Sequence, residues 1–338
     1  MRPVSMLANV FHSPGVFGVE SKPVPQAAAG EAIVRVRLTS ICAHDLRIVA
    51  GDYPVRAGLT LGHEGAGVIH DLGDGIFGYE PGQRVLFSAV TPCGQCECCL
   101  SGHCAQCRGQ LGGWRLGNTL DGAQAEYVRV PYAQANLALI PETLTDEEVL
   151  PLADVASTGF AAAESGRVRL GDNVMVFGLD PVGLCAVLGA RLMGAARIYA
   201  FDPSPFRRDM ARQFGATDLL AEPPPKLCVD VAIEATGSPD HFRHALAALK
   251  PGGVLSTVGL YAQPLTIDNA AFGAGLSDKS IVTTLCPGGK ERMRRLMRLV
   301  ETGRIHLTSL FTHRFPLAQI KAGYDLTGDF LKVAVPVQ

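Results

Sequence analysis

Six cysteines between positions 93 and 107 give this chain its clearest potential for metal chemistry. Four of them follow the spacing C-x2-C-x2-C-x7-C: Cys93, Cys96, Cys99 and Cys107. Thiolates at this spacing can surround one Zn²⁺ tetrahedrally. An iron–sulfur cluster would use the same ligands, and a disulfide cluster would need an oxidising compartment. The spacing favours a structural zinc site, with Cys98 and Cys104 spare and His103 as a substitute ligand.

A second, more dispersed set of residues could form a metal site of a different kind. Cys42 ends an apolar segment in ICAHD, and Asp154 lies in the otherwise apolar PLADVASTGF. Between them, His63 and Glu64 are flanked by glycines in LGHEGAG. A buried carboxylate is costly unless a cation or hydrogen-bond donors compensate it. One cysteine, one histidine and one carboxylate could hold a catalytic zinc ion with a position open for substrate.

The segment GLDPVG at 178–183 could bind the pyrophosphate of a dinucleotide. It follows a predicted strand and opens a predicted helix, which is the context of the fingerprint G-x-G-x-x-G. Gly178 and Gly183 occupy the outer glycine positions, but Asp180 replaces the middle one. At an effective dielectric of ~20, a carboxylate ~4–5 Å from a phosphate costs roughly 3–4 kcal/mol. Asp180 before Pro181 also predicts a helix N-cap, which would occupy amide donors that a phosphate uses.

Asp202 indicates which dinucleotide is bound. It ends the second predicted strand of this region, about 20 residues after Gly183. An acid there can accept hydrogen bonds from the adenosine ribose and repels a 2′-phosphate, which favours NAD over NADP. Arg207 and Arg208 could instead receive a 2′-phosphate. We expect further cofactor contacts from three residues: Val182, Thr236 and Gly259.

These residues lie in two regions with different predicted structure. The first is β-rich, with short strands separated by glycine and proline at 31–42, 65–73, 82–90 and 125–130. The second begins near Pro141 with a predicted helix over 145–164. Strands then alternate with helices, the strands at 173–178, 197–202, 229–237, 252–259 and 280–285, and the helices at 181–194, 205–215, 239–250 and 290–303. PPPK at 223–226 predicts a short stiff loop. The alternation indicates a doubly wound parallel sheet.

Composition indicates a globular protein of about two domains. The 338 residues are 47% hydrophobic and 18% charged, with a net charge of −2. No long basic stretch suggests a nucleic-acid or anionic-membrane surface, and no apolar run has the ~20 residues that span a bilayer. With ten cysteines and no visible signal peptide, we expect a reducing cytoplasm.

Taken together and in this order, the motifs resemble the zinc-dependent medium-chain alcohol dehydrogenase family. The segments that carry the resemblance are ICAHD, GHEGAGV, CGQCECCLSGHCAQC, DVASTGF and GLDPVG. Segments 112–130, 152–160 and 285–293 are most similar to its bacterial secondary-alcohol dehydrogenase branch. The resemblance covers essentially the whole chain. It implies an α/β fold with a Rossmann doubly wound parallel sheet at 151–295 and a β-rich GroES-like catalytic domain at 1–150 and 296–338, which carries the zinc lobe 93–107.

The resemblance also implies roles for individual residues. Cys42, His63 and Asp154 match the catalytic zinc ligands, and Glu64 matches an acid beside the zinc that can also bind it. The four cysteines of the lobe match a structural zinc site, so two zinc ions per chain are expected. Trp114 matches a wall of the substrate pocket.

The implied reaction transfers a hydride between an alcohol and nicotinamide. Zinc lowers the pKa of a bound alcohol and, in reverse, polarises a carbonyl. The family usually places Ser or Thr two residues after the cysteine ligand as the first proton-relay group, but here that residue is His44. Its imidazole could accept the proton directly or simply narrow the pocket. Arg47 stands where some relatives carry a relay histidine, and it cannot act as a base.

We therefore expect a zinc- and NAD-dependent enzyme that acts on a small secondary alcohol or its ketone. The resemblance suggests a homo-oligomer, with a tetramer favoured over a dimer. A polyol, threonine or aldehyde dehydrogenase of the same superfamily is a close alternative. A homologue without turnover is a more distant one, suggested by Asp180 and His44.

Overall fold

The structure, a computed structural model, describes residues 3–224 and 227–337. The loop predicted at 223–226 therefore lies partly outside the described residues. The chain divides into two compact units, one that runs to Ser157 and resumes at Pro287 and one that comprises Thr158–Cys286. In these residues, no helix has the length and apolar character needed to cross a bilayer.

The first unit is β-rich, as the short alternating segments predict. Its first part contains β1 (Ser5–Ser13), β2 (Val16–Pro23), β3 (Ala32–Ile41), β4 (Leu59–Thr60), β5 (Gly65–Leu72), β6 (Arg84–Phe87), β7 (Val90–Thr91), β8 (Gly113–Trp114), β9 (Tyr127–Val130) and β10 (Ala138–Leu139). Strand β3 shows why these segments are extended: Val34 and Val36 are buried, and Arg35 between them is exposed. This alternation places one face of the strand on the core.

The second unit is a six-stranded, fully parallel sheet. Its strands are β11 (Asn173–Phe177), β12 (Arg197–Phe201), β13 (Asp218–Leu220), β14 (Val229–Glu234), β15 (Leu249–Thr257) and β16 (Ser280–Thr283). Their order across the sheet is β13-β12-β11-β14-β15-β16, and every pairing is parallel. This is the doubly wound Rossmann order, in which ligands bind beyond the carboxyl ends of the strands.

The chain then returns to the first unit through β17 (Phe311–Arg314) and β18 (Lys332–Pro336). Strand β18 pairs antiparallel with β3 in a mixed sheet of order β10-β6-β5-β3-β18-β17, to which β9 adds by pairing with β3. These two strands therefore belong to the β-rich unit.

Helices occur in both units. They are α1 (Ala43–Ala50), α2 (Glu97–Leu100), α3 (Ala133–Asn136), α4 (Asp146–Val149), α5 (Val155–Ser165), α6 (Pro181–Leu192), α7 (Pro205–Phe214), α8 (Pro239–Ala248), α9 (Lys290–Glu301) and α10 (Ile320–Tyr324). The three sheet-covering helices α6, α7 and α8 begin alike, with a capping side chain from Asp180, Ser204 and Ser238 and a proline as the first helical residue. Such a start satisfies an amide that the helix leaves unpaired and uses proline where its missing N–H costs nothing.

One predicted element differs from the structure. The helix expected over 145–164 is interrupted, because α4 gives way to a 3₁₀ turn at Leu150–Ala153 and α5 starts only after Asp154. Pro151 explains the break, since it cannot donate the hydrogen bond that a continuous helix requires. Asp154 itself has φ −143° and ψ −77°.

The unit boundaries differ from the predicted ones at 150/151 and 295/296. Helix α9 crosses the second of these positions but lies wholly in the first unit, where it packs against α3, α4 and β10. The spacing between β16 and α9 resembles the spacing between strands and helices within the parallel sheet. The elements against which α9 packs could not be predicted from that spacing alone.

Gly159 in α5 provides a test of helix packing in the second unit. A Cβ there would lie 2.5 Å from Cys185 Cβ and 2.6 Å from the Val182 carbonyl oxygen of α6. Alanine favours a helix over glycine by about 1 kcal/mol, but overpacking costs about 1–3 kcal/mol. Because the contact is with backbone that cannot move aside easily, the overpacking cost lies in the upper part of its range. We expect Gly159→Ala to lower the free energy of unfolding by about 1–2 kcal/mol in chemical denaturation. Gly18→Ala, whose Cβ meets nothing within 4 Å, is the matched control. A Gly159→Ala protein as stable as the parent would contradict the expected clash.

Candidate metal centres and cofactor turn

Cys42, His63 and Asp154, here called the Cys42 group, lie together in the first unit. Each offers one ligand atom, and the three atoms lie within 4.8 Å of one another. Asp154 Oδ2 is 3.2 Å from His63 Nε2 and 3.7 Å from Cys42 Sγ. His63 is buried, whereas the other two are half-buried. The predicted ligands are therefore brought together with one side accessible.

The Cys42 group fits a tetrahedral zinc ion. Usual zinc–ligand lengths give tetrahedral edges of about 3.4 Å between nitrogen and oxygen and about 3.6 Å between sulfur and oxygen. The distances of 3.2 Å and 3.7 Å agree with these edges. A thiolate, an imidazole and a carboxylate are a donor set typical of zinc, and three protein ligands leave the fourth position to water or substrate.

Each ligand of the Cys42 group lies where a regular element begins or ends. Cys42 follows β3 and is the N-cap of α1, and His63 lies between β4 and β5. Asp154 occupies the interruption before α5. The break that the sequence did not predict thus gives Asp154 a backbone conformation outside the helical range, beside the other two ligands.

Asp45 supports His63 from behind and was missed in the sequence. Its Oδ1 lies 3.6 Å from His63 Nδ1, and its Oδ2 accepts the Cys42 N–H at 2.9 Å. Burial alone would raise the pKa of Asp45, but His63 and the Cys42 amide lower it below its ordinary value. Burial likewise opposes charge on His63, but Asp45, Asp154 and Cys42 raise its pKa well above the usual value. A carboxylate at Nδ1 leaves Nε2 to bind metal. The signal for Asp45 was its place three residues after the N-cap, where helices favour an acid.

Glu64, predicted as a further ligand, lies outside the Cys42 group. Its Oε1 contacts the Ser40 hydroxyl and the Lys332 ammonium. Glu64 and Lys332 are 0% and 1% exposed, so the ion pair is buried. Burial lowers the pKa of Lys332, but Glu64, Cys42 and Asp154 raise it further than burial lowers it. Metal binding by Glu64 stays a prediction, and Lys332 is a second residue that the sequence reasoning missed.

The predicted proton acceptor and the predicted pocket wall lie side by side. The ring of His44 is centred 4.2 Å from that of Trp114, 4.5 Å from that of Tyr53 and 5.8 Å from that of His63. His44 is 8% exposed, and neither ring nitrogen has a hydrogen-bond partner among the described residues. Burial, assisted by His63, lowers the pKa of His44 to about 4. The imidazole is therefore neutral near neutral pH. Tyr53, which no sequence motif marked, completes this aromatic surface.

The four cysteines of the lobe also form a compact group. Their sulfurs all lie within 4.8 Å of one another, and three pairs are 3.5, 3.8 and 4.0 Å apart. A tetrahedral zinc ion with four thiolates has edges of about 3.8 Å. The Cys93 and Gly109 amides donate to Cys107 Sγ at 3.2 and 3.3 Å. Such donors stabilise thiolates, so this group fits a closed structural zinc site.

The spare donors of the lobe lie outside this group. Cys104 Sγ donates to the Cys99 carbonyl at 3.9 Å, and His103 Nδ1 is 3.3 Å from Ser101 Oγ. Cys98 is not part of the group either. The four cysteines chosen by spacing are therefore the ones whose sulfurs converge.

The segment 178–183, here called the phosphate turn, has the tight geometry of a dinucleotide fingerprint. Gly178 has φ +86°, and a Cβ there would lie 2.3 Å from Thr236 Cγ2. A Cβ on Gly183 would lie 1.8 Å from the Gly178 carbonyl oxygen. Only glycine fits at both positions. Val182 lies in the first turn of α6, directly before Gly183, and is therefore next to this close approach of the backbone.

Asp202 lies at the carboxyl end of β12, as the fingerprint predicts. Its carboxylate is buried and accepts the Leu179 and Ser204 amides, both at 2.9 Å. Arg207 Nη1 is 3.7 Å away, and Arg208 donates to the Asp202 and Pro203 carbonyls. Asp202 therefore ties the phosphate turn to the end of the neighbouring strand.

Glu234 organises the adjacent strand ends and was also missed. Its carboxylate accepts the Thr236 amide at 2.7 Å, the Gly237 amide at 3.1 Å and the Thr257 hydroxyl at 3.3 Å, and it contacts the Thr236 and Tyr261 hydroxyls. A Cβ on Gly259 would lie 2.5 Å from Glu234 Oε2. This carboxylate thus joins the loops after β14 and β15.

The hydroxyl of Thr236, a predicted cofactor contact, is fully engaged. It donates its proton to Glu234 and accepts the Ser238 amide at 3.0 Å. His241 Nδ1, also 3.0 Å away, must then be the ring nitrogen that carries a hydrogen and donates to this hydroxyl. Cofactor contacts by Thr236 and Gly259 stay predictions, and for Thr236 we expect the methyl group or the backbone to make them.

The sequence matches two protein-family profiles. One, described as the alcohol dehydrogenase GroES-like domain, matches residues 28–142, and one described as zinc-binding dehydrogenase matches residues 181–302. An alcohol dehydrogenase of Cupriavidus necator is 45% identical over 98% of each chain. An NADP-dependent isopropanol dehydrogenase of Thermoanaerobacter brockii is 34% identical over 89% of this chain and 90% of its own. Among solved structures, the alcohol dehydrogenase TADH from Thermus sp. ATN1 aligns with a TM-score of 0.91 at 31% identity, over 98% of this chain and 100% of that one.

Removing the charge behind His63 should weaken metal binding at the Cys42 group. Asp45→Asn keeps the size of the side chain but loses the carboxylate, and loss of such an outer partner typically costs about 10–100-fold in metal affinity. We expect faster zinc release to a chelator, measured in wild type and variant at equal protein concentration. Asp52→Asn is the control, because Asp52 is exposed at the end of the same helix. Equal release rates for Asp45→Asn and wild type would contradict the role of Asp45.

Metal analysis should separate the two groups. We expect two zinc ions per chain, and we expect Cys93→Ser to lose one of them because a serine hydroxyl does not replace a thiolate at a structural site. The exposed Cys228, which lies outside both groups, provides the control Cys228→Ser. Iron in place of zinc, or an unchanged zinc content in Cys93→Ser, would show the assignment of the lobe to be wrong.

Proposed function

The chain belongs to the zinc-dependent medium-chain alcohol dehydrogenase family, and on that premise we propose that it transfers a hydride between NAD(H) and a small secondary alcohol or its ketone. The observation that carries the proposal is the convergence of the Cys42 group beside an aromatic wall. This wall is the aromatic surface formed by Trp114, Tyr53 and His44. The isopropanol dehydrogenase of T. brockii, named for a secondary alcohol, supports this substrate class.

A zinc ion held by the Cys42 group would act as a Lewis acid on the substrate oxygen. Asp45 holds His63 with Nε2 towards the metal position, and Lys332 offsets part of the surrounding negative charge. His44 presents a neutral imidazole whose ring nitrogens have no hydrogen-bond partner in the described part of the chain, and it is suited to take the alcohol proton. A pKa of about 4 makes it a weak acceptor, so it would pass the proton on rather than keep it.

The aromatic wall limits what the site can admit. Trp114 and Tyr53 both lie against His44, so they would exclude water from one side of the reacting carbon. Asn118 Nδ2 donates to Tyr53 Oη at 3.3 Å and to the Trp114 carbonyl at 3.2 Å, which fixes the two aromatic residues relative to each other. A rigid apolar wall favours small alcohols over extended polyols.

The preference for NAD rests on Asp202. It is the acid at the end of β12 in the position that accepts ribose hydroxyls, and it would repel a 2′-phosphate. Arg208 is already committed to backbone carbonyls. NADP is the second candidate: the T. brockii relative is described as NADP-dependent, and Arg207 lies beside Asp202.

A homo-oligomer, with a tetramer favoured over a dimer, and a cytoplasmic location are parts of the same proposal. Strand β16 pairs only with β15 among the described residues, which leaves an edge of the parallel sheet available to a second copy. Exposed apolar side chains lie on and before this strand: Leu260, Leu265, Ile267, Phe272, Leu276 and Ile281. Exposed large apolar side chains in a segment that leads into an edge strand support a protein–protein contact there.

Activity measurements test the proposal directly. Protein with its zinc retained is assayed with NAD⁺ and NADP⁺ against secondary alcohols, polyols, threonine and aldehydes, and we expect the highest kcat/KM with NAD⁺ and a small secondary alcohol. His63→Ala should lower kcat/KM by about 10³-fold or more, a loss of about 4 kcal/mol of transition-state stabilisation.

His12→Ala is the matched control for the histidine substitution. His12 is half exposed and pairs with Glu20 at 3.1 Å on the surface of the first unit, so its loss should leave kcat/KM unchanged. No activity with any substrate, together with no binding of either dinucleotide, would overturn the proposed function and favour a homologue without turnover.

A further inference from the structure

The N-terminus of α6 carries an anion of its own. Asp180 has φ −66° and ψ 178°, and its Oδ1 accepts the Gly183 N–H at 2.9 Å. Amides at the start of this helix are the donors that a dinucleotide fingerprint offers to pyrophosphate. In this chain a side chain already uses one of them.

The remainder of the phosphate turn retains the form that brings backbone close to a phosphate. Gly178 and Gly183 have no room for a Cβ, so the turn cannot be described as a loose loop that lost its glycines. Asp180 is therefore a single departure within an intact turn. It is half-buried, so it remains within reach of a ligand.

The groups around Asp180 do not fully stabilise the negative charge of its carboxylate. Burial raises its pKa, and Asp202 acts in the same direction. The Gly183 and Val182 amides and Arg207 of α7 oppose this rise but do not cancel it. Burial and the neighbouring carboxylate thus already disfavour negative charge at this position, and a pyrophosphate would add two further negative charges.

We propose that Asp180 competes with the cofactor pyrophosphate for the α6 amides, so that dinucleotide binding requires the displacement of its carboxylate. This inference rests on the proposed use of a dinucleotide. It makes Asp180 an affinity-setting residue of the site rather than only a helix cap, and it assigns the chain weaker pyrophosphate binding than a glycine at this position would give.

Calorimetric titration of zinc-loaded protein with ADP-ribose tests the competition, because this probe contains the pyrophosphate but no nicotinamide. Asp180→Gly should bind ADP-ribose about tenfold more tightly or better. Asp180→Asn should give a smaller gain, since asparagine removes the charge but still caps the helix. A Kd for Asp180→Gly equal to or weaker than that of wild type would overturn the inference.

Stability and pH separate competition from a purely structural role. Loss of a cap should lower the Tm of Asp180→Gly while its affinity rises, whereas a structural role predicts that both fall. Wild-type affinity should increase as the pH falls towards the raised pKa of Asp180, because protonation removes the competing charge, and Asp180→Asn should lack this increase.

Thr145→Gly serves as the control for cap loss. Thr145 caps α4 in the other unit, where its Oγ1 accepts the Glu148 N–H at 3.3 Å, so its loss should change Tm without changing nucleotide affinity. Equal binding by wild type and Asp180→Gly contradicts only the competition. No binding of ADP-ribose, NADH or NADPH by any variant contradicts the proposed function as well.

Discussion

The first unit depends on how it holds several negative groups close together and out of water. Asp45 and Glu64 are fully buried, and Cys42 and Asp154 lie beside them. Lys332 is the single buried lysine or arginine among the residues described. Like charges ~4 Å apart repel by about 4 kcal/mol at an effective dielectric of ~20. Lys332 and the imidazole of His63, whose pKa is raised, therefore offset only part of the repulsion among the carboxylates. A divalent cation in the Cys42 group would turn the remaining repulsion into attraction, so that metal binding there would also stabilise the folded unit.

The backbone creates this concentration of charge with ordinary devices. Asp45 accepts the amide of Cys42 at the start of α1, and the same carboxylate lies behind His63. A residue that stabilises a short helix thereby also fixes the direction of a metal ligand. The backbone conformation of Asp154 is also set by a local feature, because Pro151 interrupts the helix just before it. The local stability of the backbone and the geometry of the site are therefore coupled twice, at Asp45 beside His63 and at Pro151 before Asp154.

Local features of the chain could be predicted from the sequence, and long-range contacts could not. The cysteine lobe, the parallel strands and the cap at Asp180 follow from spacing over a few residues, and the structure places them as expected. The ligands predicted for a catalytic zinc came from the family resemblance, since their own spacing is uninformative. Lys332 and Tyr53 could not be found, because a lysine in an apolar strand and a tyrosine in a loop carry no local pattern. Lys332 meets Glu64 only when β18 pairs with β3.

The carboxylate of Asp154 and the carboxylates at the ends of the parallel strands are satisfied in different ways, and this difference bears on ligand binding. In the first unit, the carboxylate of Asp154 lies at a position that a cation can complete. In the second, Glu234 and Asp202 are each satisfied by two backbone amides, and Asp180 by the amide of Gly183. An amide that already donates to a carboxylate must break that hydrogen bond to bind a phosphate. It therefore contributes only the difference in free energy between the two hydrogen bonds. The strand ends of the parallel sheet are therefore rigid before any ligand arrives, but they offer a dinucleotide fewer free donors than an ordinary glycine-rich turn. Such an arrangement favours selectivity by shape and by the ribose contact over strong attraction to phosphate.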